Sequence, residues 1–394
     1  MNKYILNNDV QSFINNNLKS DIDKLLFKGS PFKQVTIQEL ANQIIAKQKS
    51  EKKLSSWFNT DGIYYPSKVS IEQTSSEITA SYKSSIVKGN TIIDLTGGFG
   101  VDSFYFSKKF KTVIHCEINK ELSKIVDYNY VKLGVDNVNT IPNNGIEYLK
   151  ETSEIIDCIY IDPSRRNDIK GKVFLLTDCL PNVPDNIDFL FSKSDTILIK
   201  NSPILDISAT INELMFVKEI HIIAIKNEVK ELLFLLEKNY SDDIKVNTCN
   251  YVKNNKLDVF NFSLSLTTEV SFNLPLNFLY EPNSAILKSG GFNQISSYYC
   301  LDKLHQHSHL YTSELLKENF PGRAFIIEKY FKYNKKRIRK EILEKQANIT
   351  IRNFPKTVTQ LRKETKLKEG GDVYLFFTTN FNNESIVIKC KKIK

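Results

Sequence analysis

Acidic and glycine residues cluster directly after a short apolar run near residue 92, and this is where the sequence could best hold a ligand. The run TIID ends in Asp94 and is followed by Gly97, Gly98 and Gly100 in the sequence LTGGFG. A strand that leads through a glycine-rich turn into a helix lets a ligand approach the backbone, because glycine has no Cβ. We therefore predict a ligand-binding turn here and expect that Gly98 leaves no room for a side chain beside the ligand.

The spacing of this turn indicates the kind of ligand. It lacks the GxGxxG spacing of dinucleotide enzymes, and no Lys-Ser or Lys-Thr pair follows to hold phosphate and magnesium. An acidic residue just before the turn suits a ligand that carries an amino group and no phosphate. S-adenosylmethionine fits this description, because its ammonium group needs an acidic or carbonyl neighbour. Asp94, Gly97, Gly98 and Gly100 are therefore predicted to bind S-adenosylmethionine.

Two further residues follow the next predicted strands at positions that suit the same ligand. Glu117 ends the run TVIHCE, and in Rossmann-like folds an acid at the end of the second strand accepts hydrogen bonds from ribose hydroxyls. Asn144 follows the third predicted strand, where its side-chain carbonyl is expected to accept a hydrogen bond from the adenine amino group. The alternatives are a solvated acid at Glu117 and a simple Asn-Gly turn at Asn144.

A candidate reaction centre follows the fourth predicted strand, IDCIYIDP. Asp162 and Pro163 end this apolar run and would face the sulfonium at the carboxyl edge of the sheet, where Asp162 is expected to orient the nucleophile. Arg165 completes the predicted catalytic set, and it and Arg166 are expected to bind substrate phosphate or to stack on a base. Lys200 ends the later strand TILIK, where it would either contact substrate phosphate or be a solvated strand end.

The elements that must position these residues alternate between strand and helix from Thr91 onward. This alternation predicts a parallel sheet with right-handed crossovers. The last two predicted strands, KVNTCNY and VFNFSLSL, are separated only by VKNNK and a Leu-Asp pair, which predicts an antiparallel hairpin at the sheet edge. Residues 1–87 are predicted to be mostly helical, with Asp21 and Thr36 as helix N-caps and a further helix over 70–83.

Charge is distributed unevenly along the chain. The whole chain has a formal net charge of +9, whereas residues 322–394 alone contain 19 Lys and Arg against 7 Asp and Glu. A basic segment beside a near-neutral body indicates a polyanionic partner, with nucleic acid as the first candidate. The cations predicted to bind it open one predicted helix: Lys335, Lys336, Arg337 and Arg339.

Cysteine and histidine patterns argue against metal and covalent chemistry. The six cysteines are scattered without a CxxC pair, so neither a zinc ribbon nor a disulfide framework is predicted. His305, His307 and His309 alternate in LHQHSHL, but no acid or cysteine pattern completes a metal site, and a surface segment is expected. Cys158 has apolar neighbours and is expected to be a core thiol. With no long apolar run, neither a membrane span nor a signal peptide is predicted, and a cytoplasmic location is expected.

Together these motifs resemble those of class I S-adenosylmethionine-dependent methyltransferases. DLTGGFG is similar to their first motif, Glu117 to their second-strand acid and DPSR to their fourth motif. From about residue 55 to the end, the chain resembles a bacterial family in which such a methyltransferase is fused to a ferredoxin-like segment and a C-terminal THUMP-like domain. The stretches EQTSSEITASYK, LIKNSPILDI and LYEPNSAILKSG share this resemblance. Ser164 and Arg165 replace the Pro-aromatic pair that often follows Asn/Asp-Pro in amino-group methyltransferases, which argues against amino-nitrogen chemistry.

The resemblance implies an α/β fold, with a Rossmann-like class I methyltransferase sheet, an N-terminal helical region and a small C-terminal α+β THUMP-like domain. The expected domains are 1–87 (helical), 88–272 (methyltransferase), 273–320 (ferredoxin-like) and 321–394 (basic THUMP-like). Because THUMP domains are associated with RNA modification, the resemblance implies methyl transfer to structured RNA, either rRNA or tRNA. Two alternatives stay open: a non-catalytic RNA-binding protein that keeps the cofactor fold, and a small-molecule methyltransferase whose basic tail is incidental.

Overall fold

The computed structural model describes residues 1–66, 68–165, 175–253 and 256–393, with the side chains of 68–70 and 165 left undescribed. Arg166, predicted to bind substrate, therefore lies outside the described residues. The chain divides into two compact units. The first comprises Met1–Val217 and Phe234–Ser241, and the second comprises Lys218–Leu233 and Asp242–Lys394. None of the described helices is long and apolar enough to cross a membrane.

The first unit begins with a 3-10 helix (Lys3–Leu6), and six α-helices follow in the described residues. They are α1 (Asn8–Asn16), α2 (Ile22–Lys28), α3 (Ile37–Lys53), α4 (Ser55–Asn59), α5 (Lys68–Gln73) and α6 (Glu77–Ile86). The predicted N-caps are confirmed, since the Asp21 side chain accepts hydrogen bonds from the first turn of α2 and Thr36 forms a capping box at the start of α3. The single helix predicted over 70–83 is wrong. Ser76 caps α6 by accepting a hydrogen bond from the Thr79 amide, so a new helix begins there.

A parallel sheet follows these helices. The elements of this part of the chain are, in order, β1 (Thr91–Asp94), α7 (Val101–Ser107), β2 (Thr112–Cys116), α8 (Lys120–Lys132), β3 (Val138–Ile141), α9 (Gly145–Glu151), β4 (Cys158–Ile161), β5 (Ser164–Arg165), β6 (Cys179–Leu180), α10 (Val183–Lys193), β7 (Thr196–Asn201) and α11 (Ile207–Glu213). The short strands β5 and β6 form a separate antiparallel pair. The strand order is β7-β4-β1-β2-β3, and every neighbouring pair is parallel. The chain changes direction across the sheet between β1 and β4, and open α/β sheets bind ligands at the carboxyl ends of the strands at such a point.

Four strands follow next in the chain. They are β8 (Val217–Ile225), β9 (Glu228–Glu237), β10 (Lys245–Tyr251) and β11 (Leu257–Ser263), in the order β11-β10-β8-β9. The predicted edge hairpin is confirmed, because β10 and β11 pair antiparallel and β11 is the edge strand. The strand β9 was not predicted. Lys226 and Asn227, with φ of 52° and 63°, form the two-residue turn that brings β9 back beside β8.

The rest of the second unit is a seven-stranded sheet with four helices. In chain order they are β12 (Phe278–Pro282), α12 (Ser284–Ser289), α13 (Phe292–Tyr299), β13 (Asp302–Lys303), β14 (Tyr311–Ser313), β15 (Gly322–Lys332), α14 (Lys335–Glu341), β16 (Asn348–Arg352), α15 (Val358–Thr365), β17 (Val373–Thr379) and β18 (Ser385–Lys392). The order is β13-β14-β12-β15-β18-β17-β16. Because β12 pairs with β15, the predicted ferredoxin-like and THUMP-like segments share one continuous sheet.

Candidate functional site

The glycine turn between β1 and α7 rests on two buried aromatic side chains. A Cβ added to Gly97 would lie 2.2 Å from Nε2 of His115, and one added to Gly100 would lie 2.3 Å from the Tyr130 hydroxyl. At Gly98 the nearest atom to an added Cβ is a backbone oxygen at 3.8 Å, so protein atoms do not crowd this position. The constraint at Gly98 is its φ of +57°, a left-handed conformation that glycine adopts without strain. The expected lack of room is therefore found at Gly97 and Gly100.

His115 is a part of the site that the sequence prediction missed. The ring is fully buried on β2, and neither nitrogen has a hydrogen-bond partner among the described residues. Burial lowers the pKa of His115 to about 4, so the imidazole is neutral at pH 7. The one signal in the sequence was a polar histidine inside the apolar run TVIHC. Its contact with Gly97 makes it part of the floor of the turn.

Asp94 lies beneath the turn. Its side chain is 1% exposed, and its two carboxylate oxygens accept hydrogen bonds from the Thr96 amide at 3.0 Å and the Ser103 hydroxyl at 2.8 Å. Burial, together with the nearby Asp102 and Asp162 carboxylates, raises the pKa of Asp94 to about 7. The structure thus gives this carboxylate the role of holding the turn, and a direct contact with a ligand ammonium group stays a prediction.

Glu117 connects the glycine turn to the helix after β2. Its carboxylate accepts hydrogen bonds from the Gly98 amide at 2.9 Å and from the Asn119 amide at 2.7 Å. The side chain is half-buried, and each carboxylate oxygen keeps a lone pair for another donor. The arrangement places an acid beside the turn, as the sequence predicted, and leaves it able to accept hydrogen bonds from two hydroxyls.

Asn144 acts as the N-cap of α9. Its side-chain carbonyl accepts hydrogen bonds from the amides of Ile146 at 2.9 Å and Glu147 at 3.3 Å. The carbonyl predicted to meet an adenine amino group is therefore already engaged at the helix end. The neighbouring Gly145 has a role that was not predicted: an added Cβ would lie 2.4 Å from the Leu95 carbonyl oxygen, so α9 begins in tight contact with the glycine turn.

Asp162 and Lys200 come together at the carboxyl ends of β4 and β7. The Lys200 ammonium forms an ion pair with the Asp162 carboxylate, and the two side chains are 13% and 36% exposed. The Asp162 amide donates to the Thr96 hydroxyl at 2.7 Å, which joins this loop to the glycine turn. Lys200 therefore contacts the predicted catalytic acid directly, an arrangement that neither sequence alternative included.

The remaining residues of the fourth motif are only partly described. Pro163 is buried, and Ser164 and Arg165 form β5, which pairs with β6. The backbone of Arg165 is opposite Cys179, while its side chain lies outside the described residues, as does all of Arg166. The predicted contacts of these two guanidinium groups with substrate stay predictions.

A buried ion pair supports the site from the N-terminal helices. Lys83 of α6 is fully buried, and its ammonium lies 3.0 Å from Oδ1 of Asp102 on α7. The other oxygen of Asp102 accepts hydrogen bonds at 2.8 Å from Ser75 and from Tyr160, two residues before Asp162. Burial acts to raise the pKa of Asp102, but the positive charges of Lys83 and Lys200 hold it below its ordinary value. Sequence reasoning missed this network, because a lysine in an amphipathic helix is ordinarily solvated.

The histidine segment 305–309 and Cys158 were the other candidates of the sequence analysis. No group of three histidine, cysteine or acidic side chains is arranged to hold a metal there. His305 contacts Asn383 at 3.1 Å, and the His309 ring stacks on Phe292 with 3.6 Å between centroids. The expectation of a core thiol at Cys158 is confirmed, since the residue is fully buried and burial raises its thiol pKa.

The four cations predicted to bind RNA lie on α14. Lys335 and Lys336 are exposed and make no ion pair among the described residues. Arg337 lies 3.9 Å from a carboxylate of the same helix, and Arg339 donates to a backbone carbonyl at 3.4 Å. These four cations give the exposed part of α14 a positive charge.

Comparisons with known proteins assign the chain to a family. A ferredoxin-like domain family matches residues 278–321, and a THUMP domain-like family matches residues 322–392. The crystal structure of a Porphyromonas gingivalis W83 protein with a provisional methyltransferase assignment is similar, with a TM-score of 0.89 and 30% identity over 100% of this chain and 99% of that one. No curated protein sequence matches this chain.

Other solved structures match a smaller part of the chain. TrmK of M. capricolum, solved with S-adenosyl-homocysteine, is 19% identical over 42% of this chain and 70% of its own, with a TM-score of 0.31. An rRNA methylase from Streptococcus thermophilus is 15% identical over 42% of this chain and 98% of its own, also with a TM-score of 0.31. From the full-length match and the two domain matches, the chain belongs to the family of class I methyltransferases that carry a ferredoxin-like segment and a C-terminal THUMP-like domain.

Proposed function

We propose that this protein is an S-adenosylmethionine-dependent methyltransferase that acts on structured RNA, either rRNA or tRNA. The observation that supports it best is the meeting of three motifs at one sheet edge. The glycine turn hydrogen-bonds to Glu117 on one side, and its Thr96 hydroxyl accepts a hydrogen bond from Asp162 on the other. This edge is the switch point between β1 and β4, in a chain that matches a relative over its whole length.

The residues at this edge fit S-adenosylmethionine. Gly98 has open space on the side where a Cβ would point, and the half-buried Glu117 can accept further hydrogen bonds. We assign Gly97, Gly98, Gly100 and Glu117 to holding the cofactor, with Asp94 fixing the turn from below. When bound, S-adenosylmethionine supplies an activated methyl group. Asn144 would contact the cofactor through its side-chain amide nitrogen, because its side-chain carbonyl caps α9.

In this proposal the protein contributes to methyl transfer by positioning polar groups that align the nucleophile. Direct displacement needs little acid-base help, so alignment of the nucleophile supplies most of the rate. In this proposal the Asp162 carboxylate accepts a hydrogen bond from the nucleophile. The ion pair with Lys200 holds that carboxylate in place. Asn201 is buried at the end of β7, and its side-chain amide has no hydrogen-bond partner among the described residues. Arg165 and Arg166 would bind substrate phosphate.

The choice of RNA over a small molecule rests on the C-terminal charge. Residues 322–394 carry 19 Lys and Arg against 7 Asp and Glu, and the family that matches 322–392 is THUMP domain-like. Polyanion binding by a basic surface is electrostatic and depends on salt. Residues 1–87, 88–272, 273–320 and 321–394 serve in this proposal as helical support, methyltransferase, connecting segment and RNA anchor. We propose that the protein acts in the cytoplasm.

The experiment that tests this function compares nucleosides by mass spectrometry. Total rRNA and tRNA are digested from wild-type cells, from cells that lack the protein, and from the latter complemented with the Asp162→Ala variant. We expect one methylated nucleoside to be absent without the protein and to stay absent with the variant. Identical profiles in all three samples would exclude RNA as the substrate and favour a small-molecule substrate.

A further inference from the structure

A groove of about 470 Å³ lies beside α14 in the second unit, between this helix and the segment that follows α15. Its floor is apolar and consists of Ile338, Ile342 and Leu367, which are 2%, 6% and 7% exposed. Its rim carries the cations Arg339, Lys345, Lys366 and Lys368. The groove therefore combines an apolar floor with positive charges at the edge.

These rim cations differ from most of the other cations of the same domain. None of the four forms an ion pair within the described ranges, and the lining acid Glu344 is paired with Lys389 at 2.6 Å. By contrast, cations along the strands are matched by acids. Lys329 pairs with Glu341 at 2.8 Å, and Lys391 pairs with Glu328 at 3.1 Å. The uncompensated positive charge is thus concentrated on α14, on α15 and around the groove.

The walls of the groove are fixed by backbone hydrogen bonds. The Lys368 amide donates to the Lys345 carbonyl at 3.0 Å, and the Ala347 amide donates to the Lys368 carbonyl at 2.9 Å. The Arg362 guanidinium donates to the Leu367 carbonyl at 3.2 Å, so this cation serves the structure of the wall. The backbones of Lys345 and Lys368 are thereby joined at the wall of the groove.

We propose that this groove binds one or two nucleotides of a single-stranded segment in the RNA substrate. The bases would lie against Ile338, Ile342 and Leu367, and the phosphates would contact Lys345, Lys366 and Lys368. The proposal rests on the proposed function, since it names where the RNA is held. The volume falls within the range of roughly 300–1,000 Å³ typical of small-ligand sites, whereas a double helix could touch only the rim. A positively charged groove that follows the phosphate backbone is typical of single-strand binding.

The test compares two charge-matched variants of the full-length protein. The groove variant is Lys345→Gln/Lys366→Gln/Lys368→Gln. The control variant is Lys340→Gln/Lys363→Gln/Lys392→Gln, which removes three exposed charges from α14, α15 and β18 outside the groove lining. Binding of a fluorescent 12-nucleotide oligouridine and of a fully paired RNA hairpin is titrated by anisotropy at constant salt. Thermal unfolding of each variant serves as the check that the exposed substitutions leave the fold intact.

We expect the groove variant to bind oligouridine at least about tenfold more weakly than the wild type, and the control variant about threefold or less. The affinity for the paired hairpin should fall to a similar extent in both variants. Equal losses of oligouridine affinity in both variants would overturn the groove assignment and leave the proposed function standing. Tighter binding of polyglutamate than of oligouridine would also overturn it. A wild-type protein that binds neither RNA would instead contradict the proposed function itself.

Discussion

Lys200 and Asp162, at the ends of two neighbouring parallel strands, form an ion pair at the carboxyl edge of the methyltransferase sheet. The pair is partly exposed, with Asp162 more accessible than Lys200. Both residues were predicted from sequence as separate strand-end groups. Their contact makes the carboxylate a fixed acceptor at the switch point, and the first prediction follows from this.

The Asp162→Ala variant is expected to bind S-adenosylmethionine within about threefold of the wild type and to lose methyl transfer by at least about a hundredfold. In the proposed function Asp162 orients the nucleophile, whereas the glycine turn and Glu117 hold the cofactor. Calorimetry and a transfer assay to RNA measure the two effects. Asp195→Ala removes an acid that is 80% exposed before β7 and serves as the control. Wild-type transfer by Asp162→Ala would show that Asp162 is only structural.

The glycine turn makes a prediction that separates crowding from backbone strain. Gly97→Ala places a Cβ 2.2 Å from the His115 ring and should lower the melting temperature by several degrees, because the imidazole is buried and cannot yield. Gly97→Ala/His115→Ala removes the obstacle and should recover part of the lost stability. Failure of the double variant to regain stability beyond the sum of the single variants would contradict the proposed contact.

Gly98 should respond differently, since protein atoms do not crowd it. A substitution to alanine costs about 1–2 kcal/mol because of its left-handed backbone. Gly98→Val adds a branched side chain on the side assigned to the cofactor and should abolish S-adenosylmethionine binding while the protein stays folded. Calorimetry of the valine variant, with circular dichroism as the check on folding, decides the point. Wild-type affinity would show that the turn does not hold the cofactor.

The buried carboxyl group of Asp94 gives a pH dependence of stability. Burial raises its pKa to about 7, so the folded protein binds this proton more tightly than the unfolded chain does. The contribution to stability is fully present below about pH 4 and is lost as the pH rises through about 7. Urea denaturation at pH 5 and pH 8 should therefore show that Asp94→Asn gains stability relative to the wild type at pH 8. An equal difference at the two pH values would contradict a raised pKa.

The buried Lys83–Asp102 ion pair predicts that replacing the lysine by an uncharged residue lowers the stability of the fold strongly. Lys83→Met leaves the Asp102 carboxylate buried without its partner and should lower the free energy of unfolding by about 3–5 kcal/mol. Lys83→Met/Asp102→Asn removes both charges and should be less unstable than the single variant. Urea denaturation measures both, and a double variant that is no more stable than Lys83→Met would show that the charges are not coupled.

Much of the fold was predictable, because the pattern that determines it is local. The alternation of apolar runs with helical segments predicted the parallel sheet. Asp21 and Thr36 could be identified as helix N-caps because their side chains accept hydrogen bonds from the first turn of the helix that follows. The strand β9 was not predicted, since EVKELLFLLE has no alternation and its direction depends on a two-residue turn at 226–227. A run with both faces buried carries no period from which strand and helix can be distinguished.

The positions of candidate site residues could be predicted where they lie at the carboxyl ends of strands. Contacts between two buried side chains could not be predicted. Glu117 and Asp162 could be located because strand ends in a parallel sheet meet at one edge. The contacts of His115 with Gly97 and of Lys83 with Asp102 join segments whose packing no local pattern encodes. Asn144 follows the third strand as predicted, but its side-chain carbonyl caps α9, a role that the sequence analysis did not assign to it.

The basic helix α14 predicts a change in salt dependence. Changing Lys335, Lys336, Arg337 and Arg339 together to Gln should reduce the log–log slope of RNA affinity against salt by about 0.7–0.9 for each phosphate that the helix no longer neutralises. Lys335 and Lys336 should contribute most, because Arg337 and Arg339 also contact their own domain. Anisotropy titrations at several salt concentrations measure the slope. Deletion of 322–394 is a poorer test, since β15 pairs with β12 and the sheet would be broken. An unchanged slope would place the RNA-binding surface elsewhere.

The most direct test of the proposed function is methyl transfer by the purified protein. S-adenosylmethionine labelled in its methyl group is incubated with full-length protein and with total RNA from cells that lack it. We predict that label enters one nucleoside of rRNA or tRNA, saturates at a fixed stoichiometry and is absent with Asp162→Ala. RNA from wild-type cells, already methylated, should accept little. If the protein binds S-adenosylmethionine but labels neither RNA, or if Asp162→Ala labels it equally well, the central claim is contradicted.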